Sequence, residues 1–424
     1  MIMDPRDSPN GERYRLFQEA LEIAPPWFVK EARLNQDRRR LDIILDFPKG
    51  SRFKCPECGC EYTAYDTRLR EWRHLDFFQH ATHIFAPLPR VKCETCGVRT
   101  VEVPWAGRGS GFTILFEALA VEYSRDLPVS KAAKKLRISD DTLWRMLRRS
   151  VAGALEKQDL SNVFAVAIDE TSWRKGHKYV TFVFDYCTKR LIFATEGRGS
   201  DTLALFAGHL RRHGGDPLRI TEVCCDMSPA YIKGVEENLP RATITFDKFH
   251  VVKAMNDALD EVRRRESADC AELKGTRWYW RRNEKDLSAG QRDSLERACL
   301  SGACRQTGKA YRMKILLQQI LDAGFGLTRE EARGRLKGWY RWALLCRIPE
   351  VAAVGRMIKR HFEGILRWFQ SRMTNGMVEG YNSVLRAGRA IARGFRTVGN
   401  VILKSFLMAG KLEFDFPKNI WNPL

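Results

Sequence analysis

The sequence predicts a multidomain α/β protein, and three observations support that prediction. The chain has 424 residues, a length typical of two to four domains, and 44% of them are hydrophobic, enough for a substantial core. Two C-x-x-C pairs lie in the first quarter of the chain. A block of short apolar strands then lies between two helical regions, a pattern typical of an α/β architecture.

The chain is strongly basic, with 72 Lys and Arg residues against 52 Asp and Glu residues. This balance favours a nucleic-acid partner, because basic side chains that neutralise phosphates release counterions. The polar N-terminus lacks an apolar signal segment, and no long apolar run predicts a membrane span. The 12 cysteines fall in pairs or singly in apolar stretches, which favours metal thiolates over disulfides. We therefore expect a cytoplasmic protein without membrane contact.

Four cysteines predict a zinc-binding module. Cys55 and Cys58 form one C-x-x-C pair. Cys93 and Cys96 form the second, and a glycine after each pair favours the tight turn around a metal-bound sulfur. Four thiolates make a closed tetrahedral Zn²⁺ site, which is structural and not catalytic. The residues between the pairs that are not needed as ligands are Cys60, His74, His80 and His83.

A helix-turn-helix is predicted after the cysteine module. Residues 104–109 are expected to be a linker, because they combine proline and glycine. Residues 129–137 then form a small-residue helix with Ser130 as its N-cap, followed by a short turn and a basic helix at 141–149. An ordinary helical hairpin is the alternative. The basic residues that would reach phosphates or base edges in the major groove are Arg145, Arg148 and Arg149.

The next segment alternates strands and helices. Apolar runs predict strands at 164–168, 179–185, 191–195, 220–225 and 243–246, and helices are predicted at 202–212 and 229–238, the second capped by Ser228. Asp169 follows the first of these strands, and Asp226 follows the fourth. The order β-β-β-α-β-α-β, with acids on the first and fourth strands, is the ribonuclease H-like order.

A third acid, Glu379, lies at the start of a predicted helix that becomes basic. The polar residues that share one face of this helix, at steps of three and four, are Glu379, Asn382, Arg386, Arg389 and Arg393. The residues expected to pack inward from the adjacent face are Val378, Tyr381 and Leu385. The arrangement suits a metal site from which a DNA strand continues along the arginines. A solvated charged face is the alternative.

Together, Asp169, Asp226 and Glu379 predict a site for two Mg²⁺ or Mn²⁺ ions in a catalytic domain. Magnesium prefers oxygen ligands, and two ions about 4 Å apart can activate a nucleophile and stabilise a leaving 3′ oxygen. Asp247 and His250 are expected to lie around this site without acting in it. Asp247 is the main alternative ligand, because it also ends a strand.

A large helical insertion is predicted, because 152 residues separate Asp226 from Glu379. Trp278 and Trp280 lie between arginines in it, and aromatics interleaved with arginines either stack on unpaired bases or form a helix core with a basic rim. The predicted boundaries are 1–48 for a lead-in, 49–103 for the zinc-binding module, 104–160 for the helix-turn-helix domain, 161–254 with 371–424 for the ribonuclease H-like catalytic domain, and 255–370 for the insertion.

With these modules in place, the chain resembles the transposases of the ISL-three family of bacterial insertion sequences, from about residue 40 to 412. The matching motifs are Cys-Pro-Glu-Cys-Gly at 55–59, Trp-Arg-His-Leu-Asp at 72–76, Pro-Arg-Val-Lys-Cys at 89–93, Pro-Trp-Ala at 104–106, Ser-Gly-Phe-Thr at 110–113, Ala-Ile-Asp-Glu at 167–170, Phe-Asp-Lys-Phe-His at 246–250 and Asn-Gly-Met-Val-Glu-Gly-Tyr-Asn at 375–382.

The resemblance implies an Asp-Asp-Glu recombinase whose catalytic residues are Asp169, Asp226 and Glu379. It implies binding to the terminal inverted repeats of an element, strand cleavage, and strand transfer into target DNA. Synapsis of two ends implies a homodimer on double-stranded DNA, associated with the nucleoid when bound. The alternatives are a domesticated, non-catalytic DNA-binding regulator and a ribonuclease H-like junction nuclease.

Overall fold

The computed structural model describes residues 11–300, 304–323 and 326–416. The chain folds into two compact units, of which the first runs to Ala154 and includes the segment that begins at Glu413, and the second is Leu155–Leu412. The parts of the predicted lead-in and last domain at 1–10 and 417–424 lie outside the described residues. Within the described ranges, no helix is both long and apolar enough to cross a membrane.

The first unit contains a six-stranded sheet. Its elements are α1 (Gly11–Ala20), β1 (Phe28–Asn35), β2 (Arg40–Asp46), β3 (Arg52–Lys54), β4 (Glu61–Arg73), β5 (Ala81–Cys93) and β6 (Gly97–Thr100). The strand order is β1-β2-β5-β4-β3, and β6 also pairs with β5. Because β2 pairs with β5, the predicted lead-in and the cysteine module share one sheet. The polar edge strand β1 was not predicted, since only Val29 in it is buried.

The segment expected to be a linker is packed into this unit. Trp105 makes edge-on ring contacts with Trp27 at 4.9 Å and with Trp72 at 5.6 Å between centroids. Val103 and Ala106 form an isolated β-bridge. The prediction of a linker at 104–109 is therefore wrong. The proline and glycines in this segment suggested a loop, but Trp105 is buried in the core.

Three helices complete the first unit, namely α2 (Ile114–Asp126), α3 (Val129–Leu136) and α4 (Asp140–Glu156). The predicted helix, turn and helix are observed. Thr113 caps α2 by accepting a hydrogen bond from the backbone N–H of Phe116. The N-cap of α3 is Pro128, so the prediction that Ser130 caps this helix is wrong by two positions. Arg137 adopts a left-handed conformation that ends α3 and begins the turn.

The second unit contains a five-stranded sheet with two helices. Its elements are β7 (Ala165–Arg174), β8 (Lys178–Asp185), β9 (Arg190–Glu196), α5 (Asp201–Arg212), β10 (Glu222–Cys225), α6 (Pro229–Asn238) and β11 (Thr243–Phe246). The strand order is β11-β10-β7-β8-β9, with the first three parallel and the last pairs antiparallel. The predicted order of elements is observed. The Ser228 side chain makes no capping bond to α6.

The remaining described part of this unit is helical. Its helices are α7 (Lys248–Glu266), α8 (Arg277–Arg281), α9 (Ala289–Leu300), α10 (Arg305–Asp322), α11 (Arg329–Leu345), α12 (Pro349–Arg360), α13 (Phe362–Ser371), α14 (Gly376–Ile391) and α15 (Val398–Ala409). Buried side chains of these helices extend the core of the sheet, with Trp280 and Trp339 among the largest. Cys270 and Cys304 form a disulfide, which the sequence-based expectation of metal thiolates did not include. The chain is thus a multidomain α/β protein with mixed sheets and many helices.

Candidate functional site

The zinc site lies at strand ends of the first unit. Cys55 follows β3, and Cys93 is the last residue of β5. The sulfur atoms of these two residues and of Cys58 and Cys96 all lie within 4.8 Å of one another, and the Sγ atoms of Cys58 and Cys93 are 3.5 Å apart. Sulfurs at about 2.3 Å from one tetrahedral Zn²⁺ ion would be roughly 3.8 Å apart. The donor set therefore fits a structural zinc ion.

The turns around the sulfurs are those that the sequence predicts. Gly59 and Gly97 follow the two pairs with φ angles of 77° and 74°, in the left-handed region that glycine accepts without strain. The backbone N–H of Cys96 and the hydroxyl of Tyr62 lower the pKa of Cys93 to about 6, which favours the thiolate that a metal needs. Cys60 is exposed and lies outside the group of four.

The acids of the second unit are placed by strand register. Cys224 of β10 pairs with Ala167 of β7 on one side and with Thr245 of β11 on the other. The residues that lie two positions beyond these three partners are Asp169, Asp226 and Asp247. Asp169 lies within β7, whereas Asp226 and Asp247 directly follow β10 and β11. Each of three adjacent parallel strands therefore leads to an acid two positions beyond matched partners.

The sequence predicted that the strand ends just before Asp169, but the structure places Asp169 inside β7. The parallel pairing of β7 with β10 stops at Ala167, but β7 continues to Arg174 by pairing with β8 alone. Asp169 pairs with Phe182 within that antiparallel ladder. The apolar run in the sequence ends where β7 loses one of its two neighbours, which is why it predicted too short a strand.

Helix α14 brings Glu379 to the same part of the second unit. Asn375 precedes the helix, and its Nδ2 atom donates to the backbone oxygen of Ile168 at 3.0 Å. Its backbone N–H donates to Oδ2 of Asp247 at 3.0 Å, and its own carbonyl accepts from the N–H of Glu379 at 2.8 Å. Asn375 thus links the elements that carry three of the acids. Apart from the Thr-Asn-Gly start of the helix, no sequence pattern predicts these bonds.

A second asparagine orients Asp169. Asn382 is only 4% exposed, and its Nδ2 atom donates to Oδ2 of Asp169 at 2.9 Å. The prediction that Asn382 contacts DNA is therefore wrong in this structure, because its buried amide faces the carboxylate of Asp169 on β7. The side chains predicted to pack inward do so, with Tyr381 against the rings of Phe182 and Phe184.

The acids raise one another's pKa values. Burial and the neighbouring charges of Glu170, Asp226 and Glu379 raise the pKa of Asp169 to about 7. Burial and the charge of Asp247 raise the pKa of Glu379. Carboxylates that are buried together without a compensating cation behave in this way. The donor set consists of oxygens, which are the ligands that Mg²⁺ and Mn²⁺ prefer.

One group of possible metal ligands includes the two residues expected only to surround the site. Oxygens of Asp247 and Glu379 and a ring nitrogen of His250 lie within 4.8 Å of one another. Asp169 and Asp226 do not belong to that group of three. Asp247 is also the N-cap of α7, since it accepts from the backbone N–H of Phe249 at 3.1 Å.

The arginines predicted on α4 lie on its surface. Arg145 and Arg148 are exposed, and the guanidinium of Arg148 lies over the Trp144 ring. Arg149 is also exposed, but it forms an ion pair with Glu117 of the same unit. Arg149 is therefore paired with a neighbouring acid, whereas Arg145 donates to Thr142 of its own helix, at 3.3 Å.

The arginine stripe of α14 is shorter than predicted. Arg386 is exposed, and Arg389 donates to the backbone oxygen of Ser172 at 2.9 Å. The helix ends at Ile391, and Arg393 follows it with a φ angle of 56°. Arg393 is therefore not on the predicted helical face, because Gly394, with its left-handed φ of 101°, belongs to the turn that ends the helix.

The two tryptophans of the helical segment have different environments. Trp280 is fully buried, and its ring packs edge-on against Tyr311 at 5.3 Å between centroids. The prediction that Trp280 stacks on DNA is wrong, because the core of the second unit already covers it. Trp278 is 62% exposed.

Comparison with known proteins first defines the class. A family model described as a transposase matches residues 166–405, and one described as the helix-turn-helix domain of transposase family ISL3 matches residues 101–151. A third, described as the zinc-finger of transposase IS204/IS1001/IS1096/IS1165, matches residues 51–96. The protein is therefore an enzyme that acts on DNA, with a DNA-binding helix-turn-helix and a structural zinc site.

Two relatives narrow this class to a family. The transposase for insertion sequence element IS1557 of Mycobacterium tuberculosis is 31% identical over 380 residues, 84% of this chain and 85% of the relative. The transposase for insertion sequence element IS1001 of Bordetella parapertussis is 25% identical over 376 residues, 86% of this chain and 91% of the relative. The chain belongs to the ISL3 family of insertion-sequence transposases. A DNA transposase is thus favoured over a non-catalytic regulator and over a junction nuclease.

Proposed function

We propose that this transposase cuts and joins DNA with an Asp-Asp-Glu site formed by Asp169, Asp226 and Glu379, which hold two Mg²⁺ or Mn²⁺ ions. The observation that supports the proposal is the strand register, since Asp169 and Asp226 each lie two positions beyond the paired residues Ala167 and Cys224 of adjacent parallel strands. Asn382, one turn beyond Glu379, donates to Asp169 and supports placing the glutamate helix at the same site.

The hydrogen bonds of the two aspartates favour Asp226 over Asp247 as a metal ligand. Both oxygens of Asp247 accept backbone N–H groups, from Phe249 and Asn375, and its side chain is almost fully buried. Asp226 is half-buried, and its Oδ1 atom accepts from the N–H of Ser228 at 3.0 Å. We assign Asp247 to holding α7 and α14 in place, and His250 to the surroundings of Glu379.

The residues of the chain have distinct parts in the proposed reaction. When bound, the two cations would activate the attacking oxygen, first of water and then of a DNA 3′-hydroxyl, and stabilise the leaving 3′ oxygen. Asp169 has to lose its proton to act as a ligand, and the bond from Asn382 fixes the orientation of its carboxylate. Arg386 and Arg389 provide positive charge along α14 for the phosphates of the strand being cut.

We infer a ribonuclease H-like catalytic domain from the order β11-β10-β7-β8-β9. In this assignment the catalytic domain comprises 161–254 and 371–424, and 255–370 are a helical insertion between the last strand and the helix of Glu379. The zinc-binding module at 49–103 and the helix-turn-helix at 104–160 would bind the terminal inverted repeats, with Arg145 and Arg148 toward the DNA. Because two ends must be brought together, we expect a homodimer on DNA.

Cleavage of a duplex that carries the element ends tests the catalytic assignment. Asp169→Ala, Asp226→Ala and Glu379→Ala are each expected to reduce Mg²⁺-dependent cleavage by at least about 10³-fold, because each removes a metal ligand. Binding to the ends should persist, since the DNA-binding domain is untouched. The measurement is strand cleavage on a denaturing gel beside a binding titration.

Two further variants make this test decisive. Glu236→Gln changes an exposed acid on α6 and should cleave as the unmodified protein does. If Asp226→Ala keeps its activity while a folded Asp247→Ala loses it, the second acid is Asp247 and the assignment of Asp226 fails. Specific cleavage by the Asp169 or Glu379 variant would overturn the proposed site altogether.

A further inference from the structure

A cluster of arginines surrounds one buried acid in the helical part of the second unit. Asp260 of α7 is 3% exposed, and its carboxylate lies 3.0 Å from Arg263 and 3.2 Å from Arg277. Arg264 and Arg281 lie at 3.7 Å and 3.8 Å from the same group. Four guanidinium groups therefore converge on one carboxylate, which fixes their positions before any partner binds.

The cluster keeps excess positive charge at the surface. Arg281 also pairs with the exposed Asp257 at 3.0 Å, so four arginines face two aspartates and the set carries a net charge of +2. The side chains of Arg264 and Arg277 are more than half exposed. The other exposed charged residues between positions 257 and 282 are three acids and three bases, whose charges cancel: Glu261, Asp269, Glu272, Arg265, Lys274 and Arg282. The charge that remains suits an anionic partner.

Trp278 stands beside these arginines. The guanidinium of Arg277 lies over its ring, 5.4 Å from the centroid, and the opposite residue on α8, Trp280, is buried in the core. The Nε1 atom of Trp280 donates to Thr276 at 3.0 Å. The ammonium group of the buried Lys314 donates to the carbonyls of Trp280 and Arg282, both at 2.7 Å. Buried contacts therefore hold this short helix in place, and the helix exposes the large ring of Trp278.

We propose that Arg264, Arg277, Arg281 and Trp278 form a binding site for an unpaired segment of a DNA strand. The ring of Trp278 would stack on a base, since every base has an aromatic face, and the guanidinium groups would contact the flanking phosphates. The inference rests on DNA as the partner of this transposase and is independent of the assignment of the catalytic acids. A fixed carboxylate under the arginines lowers the entropy lost on binding.

Binding of a labelled oligothymidylate of about 20 nucleotides, longer than most single-strand site sizes, tests the proposal. The full chain with its zinc is titrated by fluorescence anisotropy, in parallel with a duplex of the same length. Trp278→Ala is expected to weaken single-strand binding about tenfold, and Trp278→Phe less, with the duplex affinity unchanged. Arg277→Gln should reduce the slope of log affinity against log salt by about 0.7.

Trp342 supplies the matched control, because it is a partly exposed tryptophan on α11 outside the cluster. Trp342→Ala should bind both DNA forms as the unmodified protein does. The proposal is overturned if Trp278→Ala binds the single strand normally, if it loses duplex binding to the same extent, or if Trp342→Ala shows an equal loss. If the melting temperature of Trp278→Ala is unchanged, its weaker binding reflects lost contacts and not misfolding. The Trp278→Phe and Arg277→Gln variants provide a second check, because they alter the site less.

The outcome is distinguishable from that of the catalytic test. Asp169→Ala should bind the oligothymidylate normally but fail to cleave DNA. Trp278→Ala should lose affinity for the oligothymidylate, whichever acids prove to be catalytic. If the acids prove wrongly assigned, the strand-binding result stands on its own.

Discussion

Asn375 is fully buried between the elements that carry the acids. Its side chain reaches Ile168, the residue before Asp169, and its backbone reaches both Asp247 and Glu379. Its Oδ1 atom has no hydrogen-bond partner within the described residues. In the proposed metal site, a residue of this kind would set the spacing of the ligands rather than serve as one. Outer contacts of metal sites commonly matter almost as much as the ligands.

Asn375→Ala is expected to lower the cleavage rate roughly 10- to 100-fold and to raise the Mg²⁺ concentration needed for half-maximal cleavage. The reason is that the carbonyl of Ile168 loses its donor, so that Asp169 is held less firmly against α14. Cleavage rates across a Mg²⁺ titration measure both effects.

Asn238→Ala is the matched control for this prediction. It removes a bond of the same kind, from an asparagine Nδ2 to the carbonyl of Gly234 at 2.9 Å, on α6. If the Mg²⁺ requirement of Asn375→Ala is unchanged, Asn375 has only a structural role and does not position the metal ligands.

At the scale of elements, a partly buried histidine contacts the residue that caps helix α2. Nδ1 of His74 lies 2.9 Å from Oγ1 of Thr113, the residue that caps α2. Burial, and then the charge of Arg73, lower the pKa of His74 to about 4. The folded state therefore binds fewer protons than the unfolded state between pH 4 and the ordinary histidine pKa of about 6.5. This contribution to stability is complete above that value and is lost as the pH falls toward 4.

As the pH falls from about 6.5 to 4, His74 is expected to lower the free energy of unfolding of the first unit by up to about 1.4 kcal/mol per pH unit. His74→Asn, which keeps a group able to bond Thr113 but does not titrate there, should remove this part of the slope. Denaturant unfolding at several pH values measures it. The comparison of the two proteins cancels the loss of zinc at low pH, and equal slopes would contradict the prediction.

The elements also show where sequence patterns are sufficient. Strand β11 and helix α6 have the predicted bounds, because a short apolar run and a proline at the first helical position fix them locally. Strand β7 was predicted too short and α14 too long, since their extents depend on the partner strand β8 and on the turn at Gly394. Local composition cannot reveal which neighbour a strand keeps.

At the scale of the whole molecule, the zinc site and the proposed acidic metal site differ in how far the sequence determines them. The zinc cysteines were identified by spacing alone, and the structure groups the same four sulfurs. The acidic site depends on residues far apart in the chain, so the sequence supplied candidates but neither the register that aligns Asp247 with Asp226 nor the contacts of Asn375. Nor could the sequence separate Trp278 from Trp280, because each tryptophan has one arginine neighbour and one tyrosine neighbour.

Removal of zinc with a chelator is expected to unfold the cysteine end of the first unit and to abolish binding to the element ends. Apparent zinc-binding free energies of about 10–16 kcal/mol exceed the stability of most small domains. Cys93→Ser should behave like the chelated protein, and Cys60→Ser, at an exposed cysteine outside the site, should not. Zinc content and circular dichroism provide the measurements. Equal zinc loss in both variants would contradict the assignment.

The late position of Glu379 has a consequence for protein synthesis. On the proposed assignment, a growing chain on the ribosome holds the zinc cysteines, the helix-turn-helix and both aspartates long before the glutamate is made, since 152 residues follow Asp226 first. A product that stops within this interval would contain the DNA-binding parts without the means to cut. Such a fragment would occupy the element ends as a competitor, so that incomplete translation restrains the activity of the finished enzyme.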